Sequence, residues 1–145
     1  MNKILNTRMK KLNCILLVED NYATNVLHKR ILENLDAADH IQIAENGEEA
    51  IEYLDNAIND GEHCPNPEMI FLDINMPRMN GWEFLEEYHK RNYSNDHRII
   101  IIMLTTSPNP DDEARAKTNP DISGYLRKPL LPRALKELME KHFKD

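Results

Sequence analysis

The sequence predicts an α/β domain with a parallel sheet and helices on both faces. Three observations predict it. Five short apolar runs recur along the chain, and helical patterns fall between them. The fullest run, IIIIML at residues 99–104, is apolar on both faces, as strands covered on both sides are.

Residues 14–18 (CILLV) make the first strand, and a helix follows Asn21 with Val26, Leu27, Ile31 and Leu35 as its apolar stripe. Residues 41–44 make the second strand. The helix after Asn46-Gly47 carries Ala50, Ile51, Leu54 and Ile58. Residues 69–72 (MIFL) make the third strand, and Phe84, Leu85 and Tyr88 mark the helix after Gly81. Residues 99–104 are the fourth strand. Asn109-Pro110 is a helix start signal, and residues 111–117 are helical in composition. A weaker strand at 124–126 and a last helix with Leu131, Leu135 and Leu138 complete five β-α repeats. Right-handed crossovers follow. The polar segment 59–67 (NDGEHCPNP) is expected on the surface.

A chain of 145 residues suits one domain whose core needs no disulfide or metal staple. Residues 1–12 hold Lys3, Arg8, Lys10 and Lys11 and no acid, and are expected to be a flexible basic leader, with Met9 as an alternative start. The net charge is −7, so removing those four positive charges leaves −11 on residues 13–145, the expected single domain without an output domain. An acidic body argues against nucleic acid as a partner. No apolar run reaches the roughly 18 residues of a membrane span, and the basic start lacks the apolar stretch of a secretory signal. The chain is expected to be cytoplasmic, with Cys14 and Cys64 as free thiols. His63 beside Cys64 lacks a second pair at metal-ligand spacing.

Function in an open parallel sheet gathers at the carboxyl ends of its strands. Those ends read Val18-Glu19-Asp20, Leu72-Asp73 and Leu104-Thr105, with Arg127-Lys128-Pro129 after the fifth. An aspartate closing the buried run FLD is costly unless something pairs with it. If the first and third strands are neighbours, Glu19, Asp20 and Asp73 share one crevice. Two like charges about 4 Å apart repel by roughly 4 kcal/mol at an effective dielectric near 20, so the cluster wants a cation. Oxygen ligands without Cys or His point to Mg²⁺. A carboxylate can act as a nucleophile and form an aspartyl phosphate, Lys128 can supply a point charge, and Thr105 a hydroxyl. Pro129 fixes the lysine's backbone, with either isomer of the Lys128–Pro129 bond open to it. Each residue alone has a plainer reading: Glu19-Asp20 as acids at a helix start, Asp73 as an ordinary strand-end acid. Four such readings holding together at four strand ends is the weaker account.

The chain resembles the receiver domains of two-component response regulators from about residue 13 to 143. The matching motifs are Val18-Glu19-Asp20, Asp73-Ile74-Asn75-Met76-Pro77 with Gly81 after it, Leu104-Thr105 and Lys128-Pro129. The resemblance implies a flavodoxin-like sheet in strand order 2-1-3-4-5. It implies Asp73 as phosphoacceptor from a histidine kinase. It implies Mg²⁺ held by the side chains of Asp20 and Asp73 and the backbone carbonyl of Asn75, with Glu19 acting through water. It implies Lys128 on the phosphoryl group, Thr105 swinging toward it and Tyr125 rotating inward behind it. Thr106 stands where a smaller residue is common and is expected to narrow donor access. Asn75 and Ser107 hold places that influence phosphoryl lifetime in relatives.

The insertion before residue 69 and the stretch LTTSPNPDDEARA look like stand-alone receivers serving phytochrome-type and hybrid histidine kinases. The readout face is then the fourth helix, fifth strand and fifth helix, used for a target protein or a second copy. The same aspartate could instead relay its phosphoryl group to a histidine phosphotransfer protein. Two rivals come from other classes. One is a Mg²⁺-dependent phosphohydrolase, which usually carries Asp-x-Asp where this chain has Asp73-Ile74-Asn75. The other is a binding module with a vestigial site, against which the intact Asp20, Asp73, Thr105 and Lys128 set argues.

Overall fold

A computed structural model describes residues 10–91, 98–106 and 109–143. Elements alternate as β1 (Leu12–Val18), α1 (Tyr22–Asn34), β2 (Ala38–Ala44), α2 (Gly47–Asn59), β3 (Met69–Asp73), α3 (Gly81–Arg91), β4 (Ile100–Thr105), α4 (Pro110–Thr118), β5 (Gly124–Arg127) and α5 (Pro132–His142). All strand pairs are parallel, and the sheet order is β2-β1-β3-β4-β5, as the resemblance implied. The expected leader falls mainly on residues 1–9, outside the described residues. Leu12 is buried and opens β1 two residues ahead of the predicted start.

Two cores sandwich the sheet. Ile15, Leu17, Phe71, Ile102 and Leu104 pack against Leu32 of α1 and Leu135, Leu138 and Met139 of α5. Leu16, Val18, Leu72, Ile101 and Met103 pack against α2, α3 and Ala116 of α4. Every residue of β3 and β4 is buried, which explains why both runs lack a polar face.

The predicted stripe of α1 is corrected. Val26 and Leu27 are exposed, and the inward face is Asn25, His28 and Leu32. Those positions are three and four apart, so they line one side of the helix; Val26 and Leu27 are rotated off it. Ile58 and Leu131 are also exposed, the first in the last turn of α2 and the second at the N-cap of α5. Segment 59–67 is not wholly on the surface. Pro67 is buried, and the Tyr53 hydroxyl donates to the Pro65 carbonyl at 2.7 Å. Cys14 is fully buried, and desolvation raises its thiol to about 11. His63 pairs with Asp60 at 2.9 Å.

Asparagines start four of the helices. The side chains of Asn21, Asn46, Asn80 and Asn109 accept from the backbone N–H groups of Thr24, Glu49, Glu83 and Asp112. Asn46 is buried, so its replacement leaves a helix N–H group without an easy substitute partner. Asn46→Ala is expected to lower unfolding stability by about 1 kcal/mol, read from urea midpoints. An unchanged midpoint would show that the cap contributes nothing. Among the described residues, no helix is long and apolar enough to cross a membrane.

Candidate phosphoryl and metal site

Strand alternation sets which way each site residue leans. Counting on from Leu17, Phe71 and Leu126, the side chains of Glu19, Asp73 and Lys128 lean toward the α1–α5 side. Counting on from Met103, Thr105 leans the other way, toward the layer against which Tyr125 packs. Because β1 lies beside β3, Glu19 and Asp20 emerge next to Asp73. Ligand oxygens of Glu19, Asp20 and Asp73 lie within 4.8 Å of one another.

Lys128 closes this cluster. Its ammonium donates to Glu19 Oε1 and sits 3.0 Å from Asp73 Oδ1. Burial works against the charged lysine, but its contacts with Glu19 and Asp73 outweigh that, and its pKa is raised. Burial also raises the Glu19 carboxyl, although Lys128 opposes the shift. Glu19 Oε2 accepts from the Asn21 backbone N–H at 3.2 Å. So the Asn21 side chain caps α1, while Glu19 turns its other oxygen inward to the lysine. Asp20 is exposed, at the open side of the cluster. Asp73 is only 8% exposed, and the residue it faces is Lys128.

The backbone around the cluster is tightly built. Gly81 donates its N–H to the Ile74 carbonyl at 2.8 Å, folding the β3–α3 turn back on itself. Arg78 in that turn has a positive φ of 68°, and its guanidinium pairs with Glu48 at 2.8 Å. Gly47 donates to the Met79 carbonyl at 2.9 Å, so the start of α2 also holds this turn. The Lys128–Pro129 bond is cis. The Lys128 N–H donates to the Thr105 carbonyl at 2.7 Å, and the Leu130 N–H donates to His28 Nε2 at 3.1 Å. Thr105 is buried, Thr106 is exposed, and the Tyr125 hydroxyl oxygen is buried. Asn75 is exposed in the turn, and Ser107 lies outside the described residues.

Two contributors escaped the sequence reading: Asn25 and His28. Asn25 Nδ2 donates to the Glu19 carbonyl at 2.9 Å. Their signal was a polar pair three apart on the same side as Leu32, which a search for apolar stripes passes over. Burial, then the nearby Lys128 charge, lowers the His28 pKa to about 4. Between about pH 4 and its ordinary 6.5, the unfolded chain binds a proton here that the folded chain does not. His28 therefore makes stability rise with pH across that window. Urea midpoints from pH 4 to 7 are expected to climb less steeply in His28→Leu than in wild type; equal slopes would refute it.

Oxygen donors alone, three of them carboxylates, with one side open, fit a hard divalent cation. A carboxylate held against a largely buried ammonium has the chemistry to attack phosphorus.

Comparisons with known proteins identify the family. A family model described as the response regulator receiver domain matches residues 15–140. The probable methanogenesis regulatory protein FilR2 of Methanothrix harundinacea is 35% identical over 126 residues, covering 87% of this chain and 78% of FilR2. Response regulator Rcp1 of Synechocystis is also 35% identical over 126 residues, covering 87% of this chain and 81% of Rcp1. The crystal structure of the Mn²⁺-bound form of Rcp1 has a TM-score of 0.67 at 30% identity, over 92% of this chain and 95% of that one. A two-component response regulator from Cytophaga hutchinsonii has a TM-score of 0.84 at 29% identity, over 94% of this chain and 100% of that one.

Proposed function

The chain belongs to the response regulator receiver domain family, and we propose that it is a phosphorylation-activated signalling switch with Asp73 as acceptor. The observation that carries this reading is the contact of the largely buried Lys128 ammonium with both Glu19 and Asp73, with Asp20 open beside them.

An Asp73 carboxylate oxygen attacks phosphorus of a histidine kinase's phosphohistidine. A phosphorus–oxygen bond forms as the phosphorus–nitrogen bond breaks, and the donor imidazole leaves with the bonding pair. Lys128 follows the negative charge from the carboxylate to the new phosphoryl oxygens. Thr105 provides a hydroxyl hydrogen bond. Asp20 and Asp73 side chains and the Asn75 carbonyl would hold Mg²⁺, with Glu19 acting through water. Bound there, Mg²⁺ would neutralise phosphoryl oxygens and orient the donor. A donor must pass the start of α1 and the turn before α5, where Tyr22 and Leu131 are exposed apolar side chains suited to a docking rim.

The phosphoryl group adds an interaction with Lys128 and Thr105 in the phosphorylated state only, and such differential interaction shifts a two-state equilibrium. A full swing from 1:99 to 99:1 takes about 5.5 kcal/mol. Tyr125 lies on β5 opposite Met103, two residues before Thr105 on β4, and the face formed by α4, β5 and α5 is where a target protein or a second copy would bind. The setting is cytoplasmic signalling, on the pattern of phytochrome-type or hybrid kinase systems. Asn75, where phosphohydrolases carry a second acid, speaks against turnover of small phosphomonoesters.

Incubation with Mg²⁺ and acetyl phosphate, followed by intact mass measurement, is the test. Wild type is expected to gain one phosphoryl group, while Asp73→Asn and chelated samples gain none. Failure of wild type to gain mass or to form a beryllofluoride complex would defeat the reading in favour of a vestigial module.

A further inference from the structure

We propose that His28 is a positioning residue for Lys128, acting through the backbone of the turn that carries the lysine. The inference rests on the receiver reading.

Helix α1 buries three residues, and two of them, Asn25 and His28, are polar. Apolar side chains would suit the core beside Leu32 better unless each polar group had a task. Each spends one bond on the backbone of a loop that bears a site residue. Asn25 holds the Glu19 carbonyl at 2.9 Å, and His28 accepts from Leu130 N–H at 3.1 Å. Leu130 is 1% exposed, so water is not at hand as a substitute acceptor for its N–H group.

The turn 128–130 is thus held at two points. Thr105 takes the Lys128 N–H, and His28 takes the Leu130 N–H, two residues on. The first anchor comes from β4 and the second from α1, so the lysine's main chain is fixed from both sides of its approach to Asp73. Acceptance at Nε2 requires the neutral imidazole, and the lowered pKa of about 4 keeps it neutral at physiological pH. His28 itself touches neither phosphoryl group nor metal ligand; its effect reaches the site through Lys128.

The test compares wild type with His28→Leu, His28→Gln and Leu32→Ala. Leu removes the acceptor at similar bulk, and Gln can supply an amide oxygen. Leu32→Ala disturbs the same helix face without touching the turn. Initial phosphorylation rates from acetyl phosphate would be read by intact mass, below every variant's melting range. Mg²⁺ affinity would be read from fluorescence of Trp82, the single tryptophan. His28→Leu is expected to lose about ten- to hundredfold in rate with Mg²⁺ affinity held within twofold. His28→Gln should recover most of the rate, and Leu32→Ala should keep it.

A His28→Leu protein phosphorylating at the wild-type rate would overturn the inference. So would loss in Leu32→Ala equal to that in His28→Leu. Should His28→Leu fail to fold, amide exchange in wild type decides: a protected Leu130 N–H supports the contact, and free exchange overturns it. A wild type that never accepts phosphate defeats the receiver reading instead, and is thereby told apart.

Discussion

Lys128→Ala is expected to accept phosphate at least about 100-fold more slowly than wild type at saturating Mg²⁺. The ammonium is largely buried and shared by Glu19 and Asp73, so its removal takes away the one cation that contacts the Asp73 carboxylate among the described residues. Charge that builds on the phosphoryl oxygens then meets no preorganised partner. The same change should tighten Mg²⁺ binding, because the carboxylates lose a competing positive neighbour. Opposite signs in the two measurements separate this account from simple damage to the fold, which would weaken both. A time course of intact mass gives the first, and Trp82 fluorescence the second. Wild-type phosphorylation in the variant would mean that Lys128 only balances charge before reaction.

Gly81→Ala should impair stability and phosphorylation together. A Cβ at Gly81 would lie 2.5 Å from the Asp73 carbonyl oxygen and 3.0 Å from the Ile74 Cα. Both are backbone atoms, so no side chain can swing aside. Overpacking of this kind costs about 1–3 kcal/mol. The strain falls on Asp73, the proposed acceptor, and a displacement of about 1 Å at a reacting group can cost roughly 100-fold in rate. Urea unfolding and the mass time course would be run on the same sample. Full rate and full stability in Gly81→Ala would show that the turn has room to spare.

The contrast between α1 and β4 shows where sequence reading succeeds. The run IIIIML reads as a strand buried on both faces, and every residue of β4 is buried. Helix α1 was placed after Asn21 as expected, but its inward face was misjudged. An apolar stripe is a sound guide where the helix covers the middle of the sheet. Near the carboxyl ends of the strands, α1 instead meets loop backbone, whose N–H and C=O groups need polar partners. Asn25 and His28 meet that need, and Val26 and Leu27 face outward beside them. Ile58 and Leu131 were misplaced for a related reason: each sits at a helix end, where the stripe runs past the sheet.

Sequence alone determined the alternation of strands and helices, the family, and the four strand ends where acids, hydroxyl and lysine gather. Those features are local, carried by side-chain period and by motifs a few residues long. Tertiary structure decided the rest. It brought Lys128 across 109 positions of chain to Glu19 and enlisted His28 of α1 to hold the turn that bears the lysine. Such contacts join residues far apart in the chain. The His28 contact meets a backbone N–H group at a loop end, and the amino-acid order does not display which distant side chain will meet such a group.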